Sequence, residues 1–144
     1  MDKIKEQANF FCDMTKQING IYEDYAKSVG LSFTSLYTLH MIALTDNCTQ
    51  KFISEQLFLP KQTINSVVSL FCKQGLVELI ELSEDRRHKT LHLTEKGQEY
   101  AASVLPKIET AEQRCIEQFT ENEREILLKL LKKYVDMFAN ELSR

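Results

Sequence analysis

Hydrophobic residues along most of this chain recur at steps of three, four and seven, the spacing of one face of an α-helix. Between Asp2 and Val29 the recurring positions are Ile4, Ala8, Phe11, Ile18, Tyr22, Tyr25 and Val29, predicting a first helix that Gly30 ends. Ser32 or Thr34 then caps a second amphipathic helix carrying Leu36, Leu39, Ile42 and Ala43 and ending near Asp46–Asn47. A third, short helix begins at Thr49, with Phe52, Ile53 and Leu57 as its expected buried face. Phe58–Leu59 is a tight connection, and Pro60 suits the first turn of a fourth helix, where its missing N–H costs nothing. That helix runs to Gln74 and stops at Gly75, the residue expected in a left-handed cap.

The period then changes. Val77, Leu79, Ile80 and Leu82 are bulky apolar residues interrupted by Glu78 and Glu81, Ser83 to Lys89 is polar and turn-like, and Thr90–Leu93 alternates polar with apolar. Two short strands around a charged loop make a hairpin. Thr94 caps a long helix to about Phe119, with Pro106 as a candidate bend. Thr120 and Glu123 form a capping box opening a last helix, whose apolar stripe is Leu127, Leu130, Leu131, Tyr134, Phe138 and Leu142.

The expected fold is therefore mainly α with a small β-hairpin wing: a winged helix-turn-helix with six helices. Residues 1–144 read as a single domain. Its winged-helix lobe spans about 31–94, with the helix-turn-helix at 49–74 and the wing at 77–93. The helices of 1–30 and 95–144 carry more apolar surface than one such lobe can cover, which predicts dimerisation.

Net charge is −3, which alone argues against a nucleic-acid binder. The charge is segregated, however. From Leu57 to Val77 the only charged residues are Lys61 and Lys73, Arg86-Arg87-His88-Lys89 adds three positive charges, and acids crowd into Glu109 to Glu125. Within the fourth helix, Ile64, Val67, Val68, Leu70 and Phe71 are the expected core side. Lys61, Gln62, Thr63, Asn65, Ser66 and Ser69 are the candidate DNA-contacting side. Amides and hydroxyls can read base edges, and the missing acids remove repulsion from phosphates. Arg86, Arg87 and Lys89 in the hairpin loop add cationic contacts, and a loop arginine can enter the narrow minor groove.

Other chemistry finds little footing. The three histidines, His40, His88 and His92, have no ligand spacing, and neither a catalytic constellation nor a phosphate loop is present. The expectation is no enzyme, no metal and no cofactor. Cys12, Cys48, Cys72 and Cys115 include no CxxC pair, so reduced thiols in a cytoplasmic protein are expected. No apolar run is long enough for a membrane span, and the charged N-terminus does not read as a signal peptide.

In order and detail, residues 31–97 resemble the core of the MarR family of winged helix-turn-helix regulators. Leu31-Ser32 and Leu39 are similar to its second-helix signature, and Thr49, Ile53-Ser54 and Leu57 to its third. Thr63-Ile64-Asn65, Val67-Val68 and Lys73-Gln74-Gly75-Leu76-Val77 resemble the recognition helix and its exit. Asp85-Arg86-Arg87 resembles the tip of the wing, and Leu91-His92-Leu93-Thr94-Glu95-Lys96-Gly97 resembles its return strand and the start of the next helix. Pro60, Leu79 and Ile80 depart from the family pattern.

The resemblance implies a homodimeric transcriptional repressor on a palindromic operator in double-stranded DNA. It adds Thr49 to the DNA-binding set, gives Arg87 the minor groove and gives Asp85 the bracing of the wing. It also implies a pocket for a small aromatic or amphipathic effector, for which Phe11, Tyr22, Tyr37 and His40 are the candidates. Two alternatives stand beside this reading: a redox-sensing regulator of the same fold acting through Cys12, and a winged-helix module that binds protein.

Overall fold

The computed structural model describes residues 2–82 and 85–143, with the backbone alone for 82 and 85–87. In chain order the elements are α1 (Lys3–Ser28), α2 (Phe33–Leu44), α3 (Gln50–Leu57), α4 (Lys61–Lys73), β1 (Val77–Leu82), β2 (Asp85–Leu93), α5 (Glu95–Glu117) and α6 (Glu121–Leu142). The chain divides into two compact units, 1–105 and 106–144.

The first unit is built on helices with firm ends. Ser32 caps α2 by accepting from the Ser35 amide at 3.1 Å, and Thr49 caps α3 by accepting from the Phe52 amide at 3.1 Å. α1 and α4 both close in the Schellman pattern, in which the two residues beyond the helix turn back onto its last carbonyls. Gly30 and Leu31 donate to Lys27 and Ala26, and Gly75 and Leu76 donate to Cys72 and Phe71. Gly30 and Gly75 stand at φ 76° and 75°, where a side chain would be strained. Pro60 is the residue before α4 rather than within its first turn, since the helix begins at Lys61. Its φ of −59° suits the entry, and it supplies no capping side chain.

One core joins the elements of this unit. Leu36, Leu39 and Ile42 of α2, Ile53 of α3, and Ile64, Val68 and Phe71 of α4 pack with Leu76, Val77 and Leu91 of the hairpin. Ala26 of α1, Cys48 between α2 and α3, and Ala101, Val104 and Leu105 of α5 complete the cluster. Each large side chain taken fully from water contributes roughly 1.5–3 kcal/mol. The Tyr25 hydroxyl donates to the Val104 carbonyl, tying α1 to the first half of α5. Two expected core residues lie outside: Phe52 is 37% and Leu70 49% exposed. α3 and α4 are short and each turns a single narrow face inward, so an apolar residue off that face stays in water.

β1 and β2 form an antiparallel hairpin in which Val77 opposes Leu93, Leu79 opposes Leu91 and Glu81 opposes Lys89. The register shifts between Glu81 and Leu82. β2 starts at Asp85, so most of the stretch expected to be a loop is strand. Polarity alone concealed this: a ribbon standing in water needs no apolar alternation to keep its ladder of hydrogen bonds. The Leu91 amide also donates to the Cys48 carbonyl at 2.7 Å, adding an isolated bridge on the other side of β2.

In the second unit, Thr120 and Glu123 form the expected reciprocal capping box at the start of α6. No residue of α6 is buried. Leu127, Leu130, Leu131, Tyr134, Phe138 and Leu142 all remain substantially exposed, with Tyr134 stacked on Phe138 at 5.7 Å. α1 likewise leaves Ile4, Phe10, Ile18 and Ile21 more than half exposed.

Candidate nucleic-acid interface

α3, the Phe58–Pro60 turn and α4 form a helix-turn-helix. The turn is held by the Leu59 amide donating to the Ser54 carbonyl at 3.1 Å and the Ser54 hydroxyl donating to the Leu59 carbonyl at 2.5 Å. Behind α4, Ile64, Val68 and Phe71 are buried to within 1%. With that side fixed, helical geometry turns the opposite side outward.

Lys61, Gln62, Thr63, Asn65, Ser66 and Ser69 are all exposed. Gln62, Asn65, Ser66 and Ser69, joined by Lys73, follow at helical intervals that put them on one strip away from the core. Ser66 donates its hydroxyl proton to the Gln62 carbonyl at 3.0 Å, leaving its oxygen as an acceptor toward solvent. Gln62 and Asn65 each carry an amide that donates and accepts, the pair of functions that adenine presents in the major groove. The strip holds no carboxylate, and the uncapped first turn of α4 adds the partial positive charge of a helix N-terminus. Thr49 differs from the others. It is half-buried and its hydroxyl accepts from the Phe52 amide, so its structural task is capping α3.

In the wing, the Lys89 ammonium lies 4.0 Å from the Glu81 carboxylate, both about half exposed. Such a pair is weak and readily exchanged for a phosphate. The side chains of Asp85, Arg86 and Arg87 lie outside the described residues. Their backbone forms the start of β2, with Asp85 opposite Leu82.

The proposed effector residues are only partly gathered. Tyr22 meets Tyr37 with ring centroids 5.6 Å apart, and Tyr37 meets His40 at 6.5 Å. Phe33, absent from the sequence candidates, completes the cluster at 4.6 Å from Tyr37 and 5.9 Å from Tyr22. It sits one helical turn before Tyr37, a spacing that could have revealed it. Phe11 and Cys12 belong to the same continuous helix as Tyr22 but stand about 15 Å from it along the axis. An apolar cleft of about 210 Å³ opens beside the cluster, between Phe33, Thr34 and Tyr37 of α2 and Gln56, Leu57 and Leu59.

Cys12 and Cys115 are exposed, whereas Cys48 is 1% exposed and its thiol is pushed up to about 11 by burial. Among the described residues no group of His, Cys, Asp or Glu is arranged to hold a metal, and no helix is long and apolar enough to cross a membrane.

A family model described as the MarR family matches residues 29–88, which run from the end of α1 into β2. The transcriptional regulator SarZ of Staphylococcus epidermidis is 27% identical over 95 residues. That alignment covers 66% of this chain and 64% of SarZ, so the chain spans less than two thirds of that relative's length. SarZ of Staphylococcus haemolyticus is 24% identical over 123 residues, covering 84% of this chain and 81% of that one. Among solved structures, a MarR family regulator from Neisseria meningitidis superposes with a TM-score of 0.82 at 26% identity, covering 95% of this chain and 96% of that one. The MepR–DNA complex of S. aureus shares the fold, with a TM-score of 0.75 at 18% identity over 91% of this chain and 95% of that one.

Proposed function

We propose that the chain, which matches the MarR family model over residues 29–88 and shares the fold of a MarR family regulator, is a transcriptional regulator that binds a palindromic operator in double-stranded DNA as a homodimer. The observation that carries this reading is the acid-free strip of Gln62, Asn65, Ser66, Ser69 and Lys73 on the outer side of a helix anchored by Ile64, Val68 and Phe71. In a helix-turn-helix the second helix enters the major groove. Gln62 and Asn65 would read base edges, while Lys61, Lys73, Lys89 and Arg86 would neutralise phosphates. Arg87 would enter the minor groove, braced by Asp85. Thr49 would bring the α3 N-terminus to the backbone. The likeness to a structure solved as a DNA complex supports this assignment.

The uncovered apolar stripes of α1 and α6 support a homodimer, since exposed apolar area of this extent marks association. A two-fold dimer would carry two recognition helices about 34 Å apart, one DNA turn. The protein would act by binding rather than catalysis, in the cytoplasm, as a repressor.

The Tyr22–Phe33–Tyr37–His40 cluster and its neighbouring cleft are the effector site in this reading. Their chemistry suits a small aromatic or amphipathic ligand. Such a ligand releases DNA only if it binds one dimer geometry more tightly than the other.

Gel retardation of a palindromic fragment from the protein's own upstream region tests the function. Retardation that weakens steeply from about 50 to 200 mM salt is the expected outcome. A protein that leaves every such duplex unretarded, yet captures another protein through α4, is a protein-binding module instead.

A further inference from the structure

Phe58 combines two features that a turn residue normally avoids. At 93% it is the most exposed large apolar side chain among the described residues. Its backbone is also left-handed, at φ 54° and ψ 39°. Glycine and asparagine adopt that conformation readily, whereas a bulky aromatic does so under strain. The turn itself does not need the ring. Ser54 and Leu59 exchange the two hydrogen bonds that hold it, Leu59 packs against the core, and Pro60 fixes the entry to α4. The ring therefore adds nothing visible to the fold and costs backbone strain.

Its surroundings point to a partner. The exposed apolar residues of α1 and α6 form long stripes, whereas Phe58 is an aromatic next to a polar and cationic segment, three residues before Lys61. It sits at the N-terminal end of α4, the end of a recognition helix that approaches base edges. In the major groove the one apolar group that bases offer is the thymine C5-methyl, and phenylalanine is among the side chains that contact it.

We infer that Phe58 is a specificity-determining residue that reads a thymine methyl at the edge of each operator half-site. This rests on the DNA-binding function proposed above. The ring is held out from the protein by Ser54, Leu59 and Pro60 so that it loses its exposure only on DNA.

The test uses duplexes selected from a random pool by the full-length protein, with each thymine replaced in turn by deoxyuridine. One thymine per half-site is expected whose replacement weakens the parent roughly four-fold, the value of one buried methyl, and leaves Phe58→Asn unaffected. Phe58→Asn binds the all-thymine site on the order of ten-fold more weakly, two half-sites together. It unfolds at the same or a higher temperature, because asparagine tolerates the left-handed turn. A variant that keeps parental affinity, or that loses as much as the parent on deoxyuridine substitution, overturns the inference. A parent that selects no sequence overturns the DNA reading and this inference with it, whereas a selected site indifferent to Phe58 overturns this inference alone.

Discussion

A β-carbon on Gly97 would lie 1.9 Å from the carbonyl oxygen of Leu76. That contact marks where the first turn of α5 is pressed onto the exit of α4. The same junction carries the Thr94 hydroxyl donating to the Gly75 carbonyl at 2.6 Å and the Lys96 ammonium donating to the Gln74 carbonyl at 2.9 Å. The Thr94 amide adds a bond to the Leu76 carbonyl at 3.0 Å. α4 is thus positioned at its far end by the start of the following helix. Gly97→Ala has no flexible neighbour to displace, only backbone, and should destabilise by about 3 kcal/mol. Gly75→Ala, strained by its φ but sterically open, should lose about 1 kcal/mol. Denaturant midpoints of the two variants check the order; Gly97→Ala as stable as the parent would contradict the close approach.

Thr38 is fully buried on α2, and its hydroxyl oxygen has no hydrogen-bond partner among the described residues. A buried polar atom in that state carries its desolvation cost without return. Thr38→Val keeps the shape and removes the atom, so it should stabilise by about 1 kcal/mol. A lower unfolding midpoint for the variant would show that the hydroxyl is satisfied.

Cys48 gives a pH signature. Its thiol titrates at about 11 in the folded protein against 9.0 for an ordinary cysteine, because burial disfavours the thiolate. The folded-state value is the higher one, so its contribution to stability is complete below pH 9 and fades as pH rises from 9 toward 11. The parent should lose more stability than Cys48→Ala over that window. In the native protein at neutral pH, exposed Cys12 and Cys115 should react with a thiol reagent while Cys48 waits for unfolding. Equal stability loss in parent and variant would remove Cys48 from the account.

The order of elements was legible in the sequence because caps and breakers act locally. Ser32, Thr49, Gly30, Gly75 and the Thr120–Glu123 pair each do in the structure what their residue types suggest. What polarity could not show depended on neighbours far along the chain. Phe52 and Leu70 read as core because they are apolar, yet only the docking of α3 and α4 decides which side turns inward. The early start of β2 leaves no signal in the sequence because its strand is polar and its pairing is through the backbone. In the candidate interface, the polar strip of α4 is legible from composition and spacing. Phe58 reads in the sequence as a connector because a left-handed backbone leaves no mark on hydropathy.

Lys61 stands exposed at the first position of α4. If it neutralises a phosphate in each half-site, Lys61→Ala should weaken binding about equally for all sequences and reduce the slope of log affinity against log salt by about two, one per protomer. Arg87→Ala should also weaken binding to every sequence while leaving the dimer intact. Fluorescence anisotropy across a salt series, with sedimentation to monitor the dimer, reads both effects. An unchanged slope for Lys61→Ala would take it off the DNA.

The outer strip of α4 as a reader of bases is tested most directly at Asn65, which is exposed there with the core residues Ile64 and Val68 behind it. The measurement is the ratio of affinities for a selected palindrome and its scrambled counterpart, by anisotropy at one fixed salt concentration, for parent and Asn65→Ala. The account predicts that the parent prefers the palindrome and that the variant loses about 1–3 kcal/mol of that preference per half-site while binding the scrambled duplex as before. A parent with equal affinity for both duplexes, or a variant with undiminished preference, would contradict it.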